Sequence, residues 1–498
     1  MATRPPPPKA QAILSRAVSA HRSGDLAAAE TGYLQVLKKW PKTPDAVHLL
    51  ALVAQGRGDL ERALVLLQKA VRLAPQSPDM LFNLGLAQQQ ADDTEAAEAS
   101  FAACVRQAPQ HAGAQHALGV LRFARGDLDG AEGCYRLAVT ASPREPKLLA
   151  DLAFLLVEQG LPEEAIQLCR RALQVAPRDE DASSTLGKAL QETGDIAGAV
   201  RAFRDLQAHR PDSIKARMGL HPLLLETAGP GAAIACLDEI LAAAPGHRSA
   251  LLHRAVLTAL ADPPAAAPVF ARLAVAGEGD DVGPECWAYA DAHRDPDTRF
   301  LGSRCGTLAA ADAAARLPGF TAEFGVRHGA SLRFLGGRND GPVHGFDSFE
   351  GLPEDWQQFK AGTFTTGGRL PQVPDNVRLH VGWFADTIPG FLAQEAGPAR
   401  LLNIDCDLYS STRDVLAGLA ARIVPGTVIV FDEYFMQPDW RDHEYRGFQE
   451  AVAAHGWRYR YLAFNFTTRA GGGGDPGIGL PADAAAPRIG PADCAPAQ

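Results

Sequence analysis

The chain has 498 residues, too many for one ordinary core, so two or more domains are expected. Hydrophobic residues make up 46% and charged residues 21%, the balance of a soluble globular protein, and a formal charge of -10 argues against a nucleic-acid groove. No apolar run reaches the roughly 18 residues a membrane span needs.

The opening residues MATRPPPPKA lack the apolar segment of a secretory signal, and residues 1–10 read as a disordered N-terminus. Cys104, Cys134, Cys169, Cys236, Cys286, Cys305, Cys406 and Cys494 form no Cys-x-x-Cys pair. Reduced thiols in a cytoplasmic protein are therefore expected, rather than disulfides or a zinc site.

From residue 11 the chain is periodic. Pro41, Pro75, Pro109, Pro143, Pro177, Pro211 and Pro245 recur every 34 residues, in phase with Ala29, Ala63, Ala97, Ala131, Ala165, Ala199 and Ala233. A leucine row (Leu50, Leu84, Leu118, Leu152, Leu186, Leu220) is often followed by a small residue such as Gly85, Gly119 or Gly187. A turn row holds Gly24, Gly58, Gly126, Gly160 and Gly194, with Asp92 in the third unit. Each unit reads as helix, turn, helix, stop: glycine ends the first helix, the alanine permits close approach, and proline ends the second. The period and these residues, with Tyr33, Phe101, Tyr135 and Phe203 in an aromatic slot, resemble the tetratricopeptide repeat. About seven units, with a degenerate eighth carrying Pro263 and Pro264 in its turn, fill residues 11–275. The resemblance implies a solenoid that binds a protein or peptide partner.

Residues 276–300, rich in Gly, Pro and Asp, read as a linker with short helical pieces. Beyond it, apolar strands alternate with helical segments, the rhythm of a doubly wound parallel sheet over residues 301–480. The expected strands are FTAEFG, PVHGFDSF, VRLHVG, ARLLNIDCD and GTVIVFDEY. The expected helices are TLAAADAAARL, SLRFLGG, DTIPGFLAQ, TRDVLAGLAARI and residues 445–455, with WRYRYLAFNF as a late strand near the sheet edge. Residues 481–498 read as a flexible tail.

Ligands of such sheets lie beyond the carboxyl ends of the strands. The first strand ends in EFGVRHGAS, where Gly325 and Gly329 let a turn hug a ligand. This is neither the G-x-G-x-x-G fingerprint nor a Walker loop, which favours a ligand without a pyrophosphate. The second strand ends at Asp347, placed to accept hydrogen bonds from ribose hydroxyls. Asp405 and Asp407 in NIDCDLYSST, and Asp432 and Glu433 in VFDEY, fall at the ends of two further strands. Four acids in one crevice need protons or a cation, and hard oxygen ligands suit Mg²⁺.

Taken in order, EFGVRHGAS, GFDSFEGLPEDW, HVGWFADTIP, IDCDLYSST and PGTVIVFDEY resemble the macrocin O-methyltransferase (TylF) family of class I S-adenosylmethionine-dependent enzymes, over residues 318–456. The resemblance implies that Glu323, Gly325 and Gly329 line the S-adenosylmethionine pocket and that Asp347 holds the ribose. It places Ser348 and Phe349 beside the adenine, bordered by Gly382 and Trp383. It assigns Asp405, Asp432 and Glu433 to the metal, where relatives usually have Asp or Asn in place of Glu433. Asp405 and Asp407 are the catalytic candidates, Asp407 as the base that deprotonates a metal-held hydroxyl of a sugar or glycan. The insertion GLPEDWQQFKAGTFTTGGRLPQVPD is a candidate cover over the acceptor. His328 reads as a turn residue, His443 and Glu444 as a solvated helix start, and Cys406 as buried packing. The expected fold is multidomain: an all-α tetratricopeptide-repeat solenoid followed by an α/β doubly wound, Rossmann-like methyltransferase domain. The competing readings are a metal-dependent glycosyltransferase, through the Asp405-Cys406-Asp407 pattern, and an inactive scaffold.

Overall fold

The computed structural model describes residues 7–275, 282–357, 359–466 and 487–489. Eight helical pairs fill the described residues up to 275. After the first, at Pro8–Arg22, leading helices begin at Pro44, Pro78, Ala112, Pro146, Glu180, Ile214 and Arg248, at the sequence interval. The turn row behaves as its composition demands: Gly24 has φ +84°, and Asp92, the one substitution in that row, still adopts φ +58°. Asp25, Asp59, Asp93, Asp127 and Asp195 then cap the second helix, each carboxylate accepting from the backbone N–H three residues on. All seven alanines of the Ala29–Ala233 row are fully buried.

The small-residue row and the aromatic slot prove to be partners. A Cβ on Gly119 would fall 2.4 Å from the Tyr135 ring, and one on Gly85 or Gly187 would fall 2.5 Å from Phe101 or Phe203. The aromatic ring of the second helix therefore lies flush on the backbone of the first.

By compactness the chain divides between Leu152 and Ala153. The second unit contains the later helical pairs together with the α/β sheet, so the repeats from Ala153 onward share one compact unit with that sheet. The stretch read as a linker includes the helix Gly283–His293, with residues 276–281 outside the described residues.

Nine strands follow among the described residues: β1 (Arg299–Leu301), β2 (Phe320–Phe324), β3 (Val343–Asp347), β4 (Val377–Val381), β5 (Ala399–Ile404), β6 (Val428–Phe431), β7 (Tyr459–Tyr461), β8 (Ala463–Asn465) and β9 (Pro487–Ile489). The main sheet has the order β4-β3-β2-β5-β6-β9-β7, parallel from β4 to β6 and antiparallel around β9. The chain steps outward from β2 through β3 to β4, then returns to the other side of β2 with β5. That reversal opens a crevice between the carboxyl ends of β2 and β5.

Side chains alternate across the sheet. Leu402, Ile404, Ile429 and Phe431 join the layer containing Ile388, Phe391, Val415, Leu416 and Phe448, from the helices Phe384–Leu392, Tyr409–Leu419 and Glu444–His455. Leu401, Val428 and Val430 join Leu308, Ala311, Leu332 and Leu335, from the helices Arg304–Ala314 and Ala330–Gly336.

Two expectations change. WRYRYLAFNF is not one strand: it breaks at Leu462 into β7, on the main sheet, and β8, which pairs in parallel with β1. The expected tail, 481–498, contains β9, whose backbone inserts antiparallel between β6 and β7. Without it those two strands would leave facing rows of unpaired backbone groups. The rest of that tail lies outside the described residues.

Candidate active site

At the carboxyl end of β2 the chain turns through three left-handed residues, Gly325 (φ +92°), Arg327 (φ +47°) and Gly329 (φ +74°). A Cβ on Gly325 would lie 1.7 Å from the Asp405 carbonyl oxygen, so glycine is required by both conformation and space. Asp347 fixes the turn from below. Its Oδ2 accepts from the N–H groups of Val326 and Arg327 at 2.8 and 2.7 Å, and its Oδ1 from Phe349 N–H at 2.6 Å. Glu323, wholly buried, accepts from Ser331 Oγ at 3.0 Å and Asn403 Nδ2 at 3.2 Å, and burial pushes its pKa up to about 8.

The other residues expected at the cofactor divide. Gly382 N–H donates to the Asp347 carbonyl at 2.9 Å, which sets Trp383 beside the end of β3 with 39% of its surface exposed. Ser348 is half-buried and accepts from Glu350 N–H. Phe349 is different: its ring is buried in the layer that holds Val326 and Leu332, so it offers no open face to a ligand. Its carbonyl anchors the insertion instead, accepting from Thr365 Oγ1 at 3.1 Å and from the N–H groups of Thr366 and Gly368 at 3.3 Å. A turn of left-handed glycines, a carboxylate at the next strand end and an exposed indole beside it fit a nucleoside ligand without a pyrophosphate.

The acids gather across the crevice. Asp405 follows β5 directly and Asp432 follows β6. Between them sits Arg304, the first residue of its helix: Nη2 bonds Asp405 Oδ2, and Nε lies 3.3 Å from Asp432 Oδ1. Burial raises the Asp405 pKa to about 7 although Arg304 opposes it, and Asp432 adds to the rise. Asp407, held left-handed at φ +63°, is pushed up to about 8 by burial, Asp405 and Asp432. Burial drives Glu433 well above the carboxylate range, and the neighbouring acids reinforce it. Its Oε2 is buried without a hydrogen-bond partner among the described residues.

Among the described residues no group of three His, Cys, Asp or Glu side chains is disposed to hold a metal ion. Of the expected set Asp405, Asp432 and Glu433, the first two face the Arg304 guanidinium. The donor chemistry still fits a hard divalent cation: clustered carboxylates, one buried oxygen unsatisfied, and a positive charge already drawn in.

Three residues enter that the sequence reading missed or misjudged. Arg304 went unnoticed, though four facing acids call for a counter-charge. Glu444 is no solvated helix start: it is fully buried, accepting from Glu433 N–H at 3.0 Å and Cys406 N–H at 3.5 Å. Arg327 sits 4.9 Å over the ring of Phe364 from the insertion. The insertion covers the strand ends: Leu352, Trp356 and Phe359 cluster with Leu408, and Gln357 donates to Gln437 at 3.3 Å. Cys406 is buried and its thiol driven upward by burial, consistent with packing.

Residues 322–434 match the family model described as a methyltransferase domain. Tetratricopeptide-repeat models match residues 57–92, 82–146, 122–189 and 156–220. The chain is similar to 8-demethyl-8-(2,3-dimethoxy-alpha-L-rhamnosyl)-tetracenomycin-C 4'-O-methyltransferase of Streptomyces olivaceus, 33% identical over 164 residues, covering 26% of this chain and 59% of that one. It is also similar to demethyldecarbamoylnovobiocin O-methyltransferase of Streptomyces niveus, 27% identical over 157 residues with the same coverage. The chain thus spans 59% of the length of these relatives. A solved tetratricopeptide repeat protein from Parabacteroides merdae is 18% identical, covering 49% of this chain and 97% of that one at a TM-score of 0.42. The chain carries tetratricopeptide repeats followed by a methyltransferase domain similar to that of O-methyltransferases.

Proposed function

We propose that the protein is an S-adenosylmethionine-dependent O-methyltransferase that acts on a hydroxyl of a sugar or glycan, with cation assistance. The observation that supports it is the placing of Asp405, Asp407 and Asp432 across one crevice from the Gly325–Gly329 turn. The rhamnosyl acceptor in the name of the Streptomyces olivaceus relative supports a sugar hydroxyl.

In this reading Glu323, Asp347 and the glycine turn orient the methyl donor, and Trp383 borders its adenine. Asp407 takes the proton from the acceptor hydroxyl, a role its raised pKa strengthens once it is ionised. The freed oxygen attacks the sulfonium methyl in line, and the methyl–sulfur bond breaks as the methyl–oxygen bond forms. Because opposite charges cancel in that step, positioning supplies much of the acceleration. Asp405, Asp432 and Glu433 would hold Mg²⁺, which would supply acidification and orientation of the hydroxyl. Trp356 and Phe359, clustered with Leu408, would shield the reacting atoms from water. The repeat arm recruits a protein or peptide partner, or a partner-borne acceptor.

Calorimetry with S-adenosylmethionine and with nucleotide sugars tests the assignment, followed by mass spectrometry of a methylated glycan. Tight binding of a nucleotide sugar without S-adenosylmethionine binding would favour the glycosyltransferase and sink this reading.

A further inference from the structure

Arg304 does not reach the acids by its own helix alone. Glu226, half-buried on the helix Ile214–Ala228 of the seventh repeat pair, accepts from Gly302 N–H at 3.0 Å and from Ser303 Oγ at 2.8 Å, both through Oε1. Ser303 Oγ in turn caps the helix that Arg304 begins, accepting from Gly306 N–H at 2.9 Å. Both glycines of this Gly-Ser-Arg-Cys-Gly stretch face the arm, Gly302 its backbone and Gly306 the Glu226 carboxylate. A Cβ on Gly302 would lie 2.2 Å from the Pro222 carbonyl oxygen, and one on Gly306 would lie 2.3 Å from Glu226 Oε1. On the next turn of contacts, Cys305 Sγ donates to the Glu192 carbonyl of the sixth pair at 3.4 Å. The repeats therefore clamp the start of this helix, and its first side chain projects between Asp405 and Asp432.

We propose that Arg304 and a divalent cation are alternative occupants of the Asp405–Asp432 pair, and that Glu226 of the repeat arm positions Arg304 there. Two positive groups cannot share one carboxylate pair without like-charge repulsion, so the cation enters only as the guanidinium withdraws. Glu226 opposes that withdrawal by fixing Ser303, one residue before Arg304. The arm thereby sets the cation affinity of the site. This rests on the cation-assisted part of the proposed reaction but does not require methyl transfer to be observed.

The test is calorimetric titration of the full chain with Mn²⁺ alone. Arg304→Gln should bind Mn²⁺ at least about tenfold tighter than the natural protein, and Glu226→Ala about threefold tighter. Adding Asp405→Ala to Arg304→Gln should abolish the gain. Circular dichroism checks that each variant folds, and should Arg304→Gln fail to fold, Arg304→Lys should still show a gain of about twofold or more. Equal or weaker Mn²⁺ binding by the folded Arg304 variants overturns the competition, as does a complete lack of Mn²⁺ binding in every protein. A gain in Arg304→Gln without one in Glu226→Ala overturns the role of the arm. S-adenosylmethionine is titrated into the same samples: its failure to bind while the Mn²⁺ ranking holds removes the methyltransferase reading and leaves this inference standing.

Discussion

Arg333 and Glu163 form a two-pronged ion pair, with Nε and Nη2 each donating to a separate carboxylate oxygen at 3.0 Å. Glu163 belongs to the helix Pro162–Val175 of the fifth repeat pair, and Arg333 to the helix that leaves the glycine turn. The Nη1 of Arg333 donates to the His328 carbonyl at 2.7 Å, so the repeat helix steadies the turn through this guanidinium. Glu163 is half exposed, which keeps the pair itself within about 0–1 kcal/mol. Glu163→Ala should weaken S-adenosylmethionine binding by about threefold on that account. Arg333→Ala should cost about tenfold, since the His328 carbonyl also loses its donor. Calorimetry on the two variants checks the ranking; identical affinities would mean that Asp347 alone holds the turn.

Gly325 is the position least open to change. An added methyl would have to displace the Asp405 backbone 1.7 Å away, and the left-handed φ of +92° adds about 1–2 kcal/mol of strain. At Gly329 the nearest obstacle is the Pro371 side chain, 3.1 Å away. Gly325→Ala should therefore lose S-adenosylmethionine binding by more than about tenfold and lower the melting temperature, while Gly329→Ala should cost only about 1 kcal/mol of stability. Thermal melts and binding titrations on the pair of variants would separate the two.

What could be read from sequence was what local rules govern. The repeats announced themselves because each unit needs the same turn glycine or Asp92, the same buried alanine and the same stop. The strand-end positions of Asp347, Asp405 and Asp432 followed from the βαβ rhythm, since a strand end falls wherever an apolar run stops. Arg304 was hidden because Gly-Ser-Arg-Cys-Gly makes sense only against Pro222 and Glu226, far away in the chain. Glu444 looked like a charged helix start because nothing nearby in sequence shows that its carboxylate meets Glu433 N–H. The strand β9 lay in Gly/Pro/Ala-rich sequence, and only the open edges of β6 and β7 call for it.

The Glu444 carboxylate satisfies a buried backbone donor. Its Oε2 accepts Glu433 N–H at 3.0 Å inside the core. Glu444→Ala leaves that donor buried and unpaired, a loss of about 1–3 kcal/mol. Glu444→Gln keeps an acceptor oxygen and should retain most of the stability. Urea unfolding of both variants measures the difference; an alanine variant as stable as the natural protein would show that the N–H finds another acceptor.

Glu323 ties stability to pH with a definite sign. Its folded pKa of about 8 stands above the ordinary 4.5, so between these values the folded protein holds a proton that the unfolded chain has released. The group's contribution is full below the lower value and is lost as pH rises towards the upper one. One such group gives a slope approaching about 1.4 kcal/mol per pH unit. Unfolding free energies measured at about pH 5.5 and about pH 7.5 should fall with pH in the natural protein. Glu323→Gln should show a shallower fall, and an unchanged slope would mean that the carboxyl is ionised throughout.

The repeats allow a test in which two identical substitutions have opposite effects. Gly119 lies under the Tyr135 ring, 2.4 Å from where a Cβ would stand, whereas nothing lies within 4 Å of a Cβ on Gly133. Both residues sit inside helices of the fourth pair, Ala112–Ala124 and Leu128–Ala141, so the helix preference for alanine is the same at each. Gly133→Ala should stabilise by about 0.5–1 kcal/mol through that preference. Gly119→Ala should destabilise by about 1–3 kcal/mol, because Tyr135 is buried at 5% exposure and cannot swing clear without opening the pair. Thermal unfolding of the two variants gives the comparison directly. Stabilisation by both would mean that the two helices separate easily enough to admit a methyl group, and the flush contact of ring on backbone would not be what selects glycine.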